Sequence, residues 1–305
     1  MIRKHPSIEI ELVGGLGNQL FGYFAGLYLA QSSKSDVVFD LSSVPYGITQ
    51  HNSSLKSFLL PENLQFKSRK LRKPQRLARR VSNFLIRKLP GYQVILLRTG
   101  HIYQSKEIGY DDNLAKIPDN TVVRGYFQSW EYFTRIENRK YCNLELAAPS
   151  EWFRENQKTA QIIRPIMMHI RRGDYNKVAS EFGLLAEGYF LESTKAARQG
   201  VGDREIWVFS DDTEAAAQII SSCAIQNAKI IQPPINNDPA ESLLLMSEGS
   251  ANIVSNSTFS WWAATLNQNS PIVLAPAPWY RKIEEPESLI PPSWLRLPAV
   301  WTDSQ

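Results

Sequence analysis

Between residues 166 and 274, five short apolar runs are separated by four helical stretches, and this rhythm narrows the fold more than any other feature. The runs are Ile166–Ile170, Ile206–Phe209, Lys229–Ile231, Asn252–Ser255 and Ile272–Leu274. Between them lie Tyr189–Arg198, Thr213–Ser221, Ala240–Ser247 and Thr258–Asn267. Apolar runs without polar alternation suit strands buried on both faces, which means a parallel sheet covered by helices. The first half is less regular. Ile8–Val13 alternates and then turns apolar, as a first strand should, and Gly14-Gly15-Leu16-Gly17-Asn18 is a turn. An apolar helix follows over Gln19–Gln31, with strands at Asp36–Asp40, Val94–Leu97 and Thr121–Phe127. Glu151–Arg164 reads as a helix bridging two halves. The expected division is a domain over 1–160, a nucleotide-binding α/β domain over 161–277, and a Pro- and Trp-rich tail, 278–305, wrapping back on the first half.

Composition excludes several classes. The 305 residues are 43% hydrophobic and 21% charged, as in a soluble globular protein. No apolar run approaches the roughly 18 residues of a membrane helix, and Met1–Pro6 lacks the apolar core of a signal peptide. Two distant cysteines, Cys142 and Cys223, make neither a disulfide framework nor a zinc site, so the expected compartment is the cytoplasm. The net charge of +4 conceals ten cations without one acid between Lys67 and Lys88. Leu77, Val81, Phe84 and Leu85 are spaced there as on a cationic amphipathic helix, a candidate contact for anionic lipid at the inner membrane face. A solvated basic face is the plainer explanation. No nucleic-acid-binding motif accompanies the charges, so no nucleic-acid partner is expected.

In an open α/β sheet, chemistry gathers on the loops that follow strands. Four such loops stand out. Gly14–Gln19 lets the backbone approach a phosphate or sugar through Gly15 and Gly17 and opens a helix. His169-Ile170-Arg171-Arg172-Gly173-Asp174 places two arginines where a strand ends, and arginine grips phosphate oxygens in a two-pronged fork. Phe209-Ser210-Asp211-Asp212 offers acids to a base or ribose, or a helix cap. Ser255-Asn256-Ser257-Thr258 sets amide and hydroxyl groups at a helix start, where N–H groups favour an anion. Trp261 and Trp262 suit core or interface positions better than base stacking. A nicotinamide-dependent nucleotide-sugar oxidoreductase is one alternative, since Gly15-x-Gly17 follows a strand and Asp40 ends the next. The third small residue of that fingerprint is replaced by Leu20. A non-catalytic glycan- or membrane-binding protein is another.

These segments together resemble glycosyltransferase family 11, the α-1,2-fucosyltransferases. Gly14–Phe21, Gly125–Ser129, His169–Tyr175 and Ser255–Ala263 carry the likeness in order, and Phe209–Asp212 fits with them. The resemblance implies a GT-B-like α/β fold, two Rossmann-type domains facing a central cleft. It also implies GDP-β-L-fucose as donor and inversion to an α linkage on O2 of a galactose-terminated glycan. Carried over by position, Arg171 and Arg172 bind the donor diphosphate, and His169 with Asp211 or Asp212 contacts the nucleoside. Ser257 and Thr258 fall at the phosphates, Asn256 in the donor site beside them, and Asn18 near the phosphate or the fucose. The family's usual aromatic or Gln at position 22 and Ala at 24 are here Gly22 and Phe24, which touches helix packing. Related α-1,6 enzymes hold a carboxylate base at a position that is Ala179 here, so the base candidates are Asp174 and Glu181. No metal or cofactor is expected, because Asp211-Asp212 lacks the spacer of a metal-binding Asp-x-Asp.

Overall fold

The structure, a computed structural model, describes residues 6–33, 35–44, 54–68, 95–97, 100–105, 108–269 and 271–302. The chain divides into two compact units. One comprises Met1–Lys56, Leu60–Asn143 and Pro286–Ile290; the other comprises Ser57–Leu59, Leu144–Glu285 and Pro291–Gln305.

The first unit holds a six-stranded sheet in the order β3-β2-β1-β6-β5-β4. Its strands are β1 (Ser7–Glu11), β2 (Asp36–Asp40), β3 (Gln65–Lys67), β4 (Ile95–Leu97), β5 (Gly100–Gln104) and β6 (Thr121–Arg124). All pairings are parallel except that of β4 with β5. The helix Leu16–Ser32 follows β1 and buries Leu20, Phe21, Phe24 and Leu27. Two glycines let it lie close to the sheet. A Cβ on Gly22 would sit 2.5 Å from Leu12 Cδ2, and one on Gly26 would sit 2.3 Å from Phe39 Cε1. The close helix–strand approach that a dinucleotide fingerprint obtains at position 20 is thus made one turn later. Of the basic segment, only Lys67 is a cation among the described residues. It pairs with Glu9 and lies 3.9 Å from Asp40, so it serves the sheet. Arg69 to Lys88 lie outside the described residues.

The second unit holds another six-stranded sheet, in the order β12-β11-β10-β7-β8-β9. Its strands are β7 (Ile166–Ile170), β8 (Ile206–Ser210), β9 (Ala228–Ile230), β10 (Ala251–Ile253), β11 (Ile272–Ala277) and β12 (Leu295–Pro298), all paired in parallel. The connecting helices are Glu187–Val201, Thr213–Ser222, Pro239–Met246 and Thr258–Leu266. Every residue of β7 is buried, as its unbroken apolar run requires. Ile166, Met168, Ile170, Val208, Ile253 and Leu274 form the core with Tyr189 and Phe190 of the covering helix.

Two expected boundaries move. The helix Glu151–Ile163 belongs to the second unit and is not a bridge closing the first at 160. Ser150, its cap, donates to Glu241 through both N and Oγ (2.6 and 2.7 Å), and Gln157 donates to Glu248. The tail does not wrap chiefly on the first half either. β11 would otherwise leave an open sheet edge, and residues 295–298 pair with it as β12. Trp294 then rests 5.6 Å from Trp261, ring centre to ring centre. Only Pro286–Ile290 joins the first unit, where Trp130 N donates to Ser288 O at 3.0 Å.

Candidate active site

In the second unit the chain runs from β7 outward through β8 and β9, then returns to place β10 on the other flank of β7. The loops after β7 and β10 therefore diverge at the reversal of strand order, where open α/β sheets hold their ligands. The arginine loop is one of them and the Ser255–Thr258 loop is the other. Arg171 N donates to Ser255 Oγ at 3.2 Å, and Ser255 Oγ donates to His169 O at 2.5 Å, which fastens the two loops together.

The two arginines have different surroundings. The Arg171 guanidinium is partly exposed, 3.0 Å from Asp211 Oδ2 and 5.2 Å from the Tyr175 ring centre. Arg172 is buried, and its guanidinium donates to the main-chain carbonyls of Arg171 (2.9 Å) and Leu185 (2.6 Å). Burial pulls its pKa down while Asp211, Asp212 and Glu187 oppose the shift, so it remains a charged strut inside the loop. The acid pair is divided in the same way. Asp211 accepts from Arg172 N at 2.8 Å as well as pairing with Arg171. Asp212 caps the Thr213–Ser222 helix, accepting from Ala215 N at 3.0 Å. Gly173 has a φ of +22°, and a Cβ there would lie 2.3 Å from Asp211 Oδ2, so only glycine lets the loop pass the carboxylate.

His169 is 4% exposed with its ring 5.7 Å from that of Phe259. Burial, and then the Arg171 charge, hold its pKa down to about 3, so it is neutral at working pH. Its Nδ1 has no partner among the described residues, an uncommon state for a buried ring nitrogen. Ser257 caps the Thr258–Leu266 helix, accepting from Phe259 N at 3.4 Å, while Thr258 is half-buried at its first turn. Asn256 turns its amide onto the carbonyls of Phe182 and Gly183. Trp261 and Trp262 are wholly buried against each other, so they are core. Asp174 lies in the turn Gly173–Val178, and its side chain lies outside the described residues. Glu181 is exposed on the short helix Ala179–Phe182.

The first unit also changes strand order between β1 and β6, but there β4 to β6 run in towards β1, where β10 to β12 run out from β7. Gly14 adopts a φ of +72°, Gly15 caps the helix, and Gly17 is buried in its first turn. Gln128, in the loop after β6, donates to Asn18 Oδ1 at 2.9 Å and so joins the two loops at this reversal. Beneath them Glu11 accepts from Arg124 Nε at 2.8 Å and from Ser43 Oγ at 2.6 Å. Sequence reasoning gave no role to Gln128, Tyr175 or the Glu11–Arg124 pair. A polar residue in each of two strand-end loops was the available signal for Gln128.

The sequence model of glycosyl transferase family 11 matches residues 103–297. The chain belongs to that family. As a family 11 glycosyltransferase it is similar to the alpha-1,2-colitosyltransferase of Escherichia coli, 27% identical over 301 residues and covering 95% of this chain and 98% of that one. It is similar to the O-antigen biosynthesis glycosyltransferase WbnK of Escherichia coli, 28% identical with 94% and 99% covered. It is also similar to the galactoside 2-alpha-L-fucosyltransferase of Caenorhabditis elegans, 24% identical with 96% and 79% covered. The family match includes the arginine loop, the acid pair and the Ser255–Thr258 loop. The glycine loop lies outside it. A glycosyltransferase must stabilise charge on a leaving group as the sugar–oxygen bond breaks, and a partly exposed arginine beside a helix start is suited to that task.

Proposed function

We propose that this family 11 enzyme transfers L-fucose from GDP-β-L-fucose to O2 of a galactoside, with inversion to an α-1,2 linkage. The observation that carries the reading is the pair of loops joined at the β7/β10 reversal, Arg171 on one, its N bonded to Ser255 of the other, and the Thr258 helix start following that Ser255. Both offer fixed positive charge or N–H donors to a diphosphate. The bond from fucose C1 to the β-phosphate oxygen breaks and its electron pair leaves with GDP. Galactose O2 bonds to C1, and its proton passes to a carboxylate, with Asp174 and Glu181 as candidates. Arg171 serves as the diphosphate ligand, whereas Arg172 and Asp211 hold the loop that aims it. With Asp211 and Asp212 committed to the arginine loop and a helix cap, we assign stabilisation of the leaving-group charge to Arg171 and the Thr258 helix start, with no metal. In this reading the Arg69–Lys88 segment meets anionic lipid and takes no part in the chemistry, while Lys67 stays with the sheet.

The test is incubation with GDP-fucose and a panel of galactosides in excess EDTA, with the product linkage determined by NMR. An α-1,2-fucoside is expected. Activity lost on chelation and restored by Mg²⁺ or Mn²⁺ would overturn the metal-free mechanism. Asp174→Asn and Glu181→Gln, assayed beside calorimetric GDP binding, identify the base: the correct one loses transfer and keeps GDP affinity. The likeness to a colitosyltransferase supports a second reading, in which the donor carries a 3-deoxy relative of fucose. Product from GDP-colitose and none from GDP-fucose would decide for it.

A further inference from the structure

Asn256 reaches both limbs of the segment that joins the arginine loop to the Glu187–Val201 helix. Its amide nitrogen donates to Phe182 O (2.9 Å) and Gly183 O (3.1 Å), and its main-chain carbonyl accepts from the Tyr175 hydroxyl (3.0 Å). One residue, 2% exposed, therefore fastens the segment beside Asp174 and again beside Glu181. The backbone is shaped to meet it. Gly183 has a φ of +82°, and a Cβ there would lie 2.4 Å from Trp301 Cε3, so the turn that presents these carbonyls requires glycine. The far side of the segment is tied down as well. Thr302 N donates to Leu184 O (2.8 Å), Ala186 N to Val300 O (2.7 Å), and Lys282 N to Glu181 O (3.0 Å). The next residue after Asn256 is Ser257, which caps the helix assigned above to the diphosphate.

We propose that Asn256 is a positioning residue that couples the phosphate-binding helix start to the segment carrying both candidate bases. The inference rests on the functional reading above. A donor seated at Ser257 and Thr258 then meets a carboxylate already in register, and Asn256 itself does not touch the donor. This separates it from its neighbours in the loop, which the resemblance groups together as phosphate ligands.

Asn256→Leu keeps the volume and removes the side-chain donors. The expected signature is GDP affinity within about threefold of the parent with transfer kcat lowered roughly 10²-fold, the cost of a misplaced reacting group. Amides of residues 173–186 should exchange faster with solvent while those of Thr258–Leu266 keep their protection. Tyr175→Phe, which frees one limb only, should show the same signature with a fall of about tenfold. GDP affinity lost in proportion to rate would make Asn256 a ligand and overturn the proposal, as would unchanged rate and exchange in both variants. The Asn256→Leu change leaves two carbonyls without donors, so a thermal melt is run first; if that variant is unfolded, Tyr175→Phe alone decides by the same criteria. A parent that transfers no sugar from GDP-fucose refutes the functional reading, and the exchange comparison still judges the clamp.

Discussion

Both sheets change strand order at their centre, β3-β2-β1-β6-β5-β4 with its second run inward and β12-β11-β10-β7-β8-β9 with both runs outward, and the loops at the two junctions also differ in chemistry. At β7/β10 the partly open Arg171 guanidinium pairs with Asp211 on a loop bonded to Ser255, two residues before a helix cap. At β1/β6 the joining bond is between two neutral amides, and the charged pair Glu11–Arg124 is nearly buried, at 4% and 11% side-chain exposure. The two sheet centres thus offer a cationic seat in one unit and a neutral hydrogen-bonding seat in the other. The first suits a diphosphate and the second suits sugar hydroxyls. Topology fixes where a ligand goes, and the few side chains on the loops decide which ligand.

Removing the cation from the charged reversal should have the largest effect. Arg171→Ala is expected to lower kcat/KM by roughly 10²-fold or more, about 3 kcal/mol, with much of the loss in GDP affinity. Arg171→Lys should recover little, since an ammonium cannot supply the planar fork; near-native rates in the lysine variant would count against a two-pronged phosphate contact. Asp211→Asn comes next. It leaves Arg171 and Arg172 N with a weaker partner, and a fall of about tenfold in kcat/KM is expected. No change in steady-state kinetics would show that the arginine needs no aiming.

The neutral reversal should respond less and differently. Gln128→Ala frees Asn18 and is expected to raise the acceptor KM by roughly three- to tenfold, in line with one lost hydrogen bond. GDP affinity, measured by calorimetry, should not move. The last expected effect is on stability and not on catalysis. His169 is held near pKa 3 in the fold, against an ordinary value of 6.5. Between those values the unfolded chain takes up a proton that the folded chain refuses. Its burial therefore costs nothing above pH 6.5, and stability falls as pH is lowered through that window. Urea unfolding at pH 6.5 and pH 4.5 should show a smaller drop in His169→Gln than in the parent. Equal drops would mean that His169 titrates normally.

The second sheet was legible in the sequence because its strands are continuous apolar runs with short connections, and Ile166–Ile170 matches β7 end to end. β3 and β5 were not, since Gln65–Lys67 is short and polar and Gly100–Gln104 carries no alternation. β12 hid in a Pro-rich tail, where an edge strand is permitted and no periodicity betrays it. For the site, residue types were readable and their partners were not. Arg171 and Arg172 are adjacent and chemically alike, and only the carbonyls of Arg171 and Leu185 divert the second from a ligand's role. Asp211 and Asp212 divide between an ion pair and a cap for the same reason: successive side chains at a strand end point apart.

The central claim is that the diphosphate seat belongs to the β7/β10 reversal alone. GDP affinity measured by calorimetry on Arg171→Lys and Gln128→Ala, side by side with the parent, tests it most directly. Loss confined to Arg171→Lys is the predicted result. Equal loss in both variants, or loss in Gln128→Ala with Arg171→Lys unaffected, would contradict it.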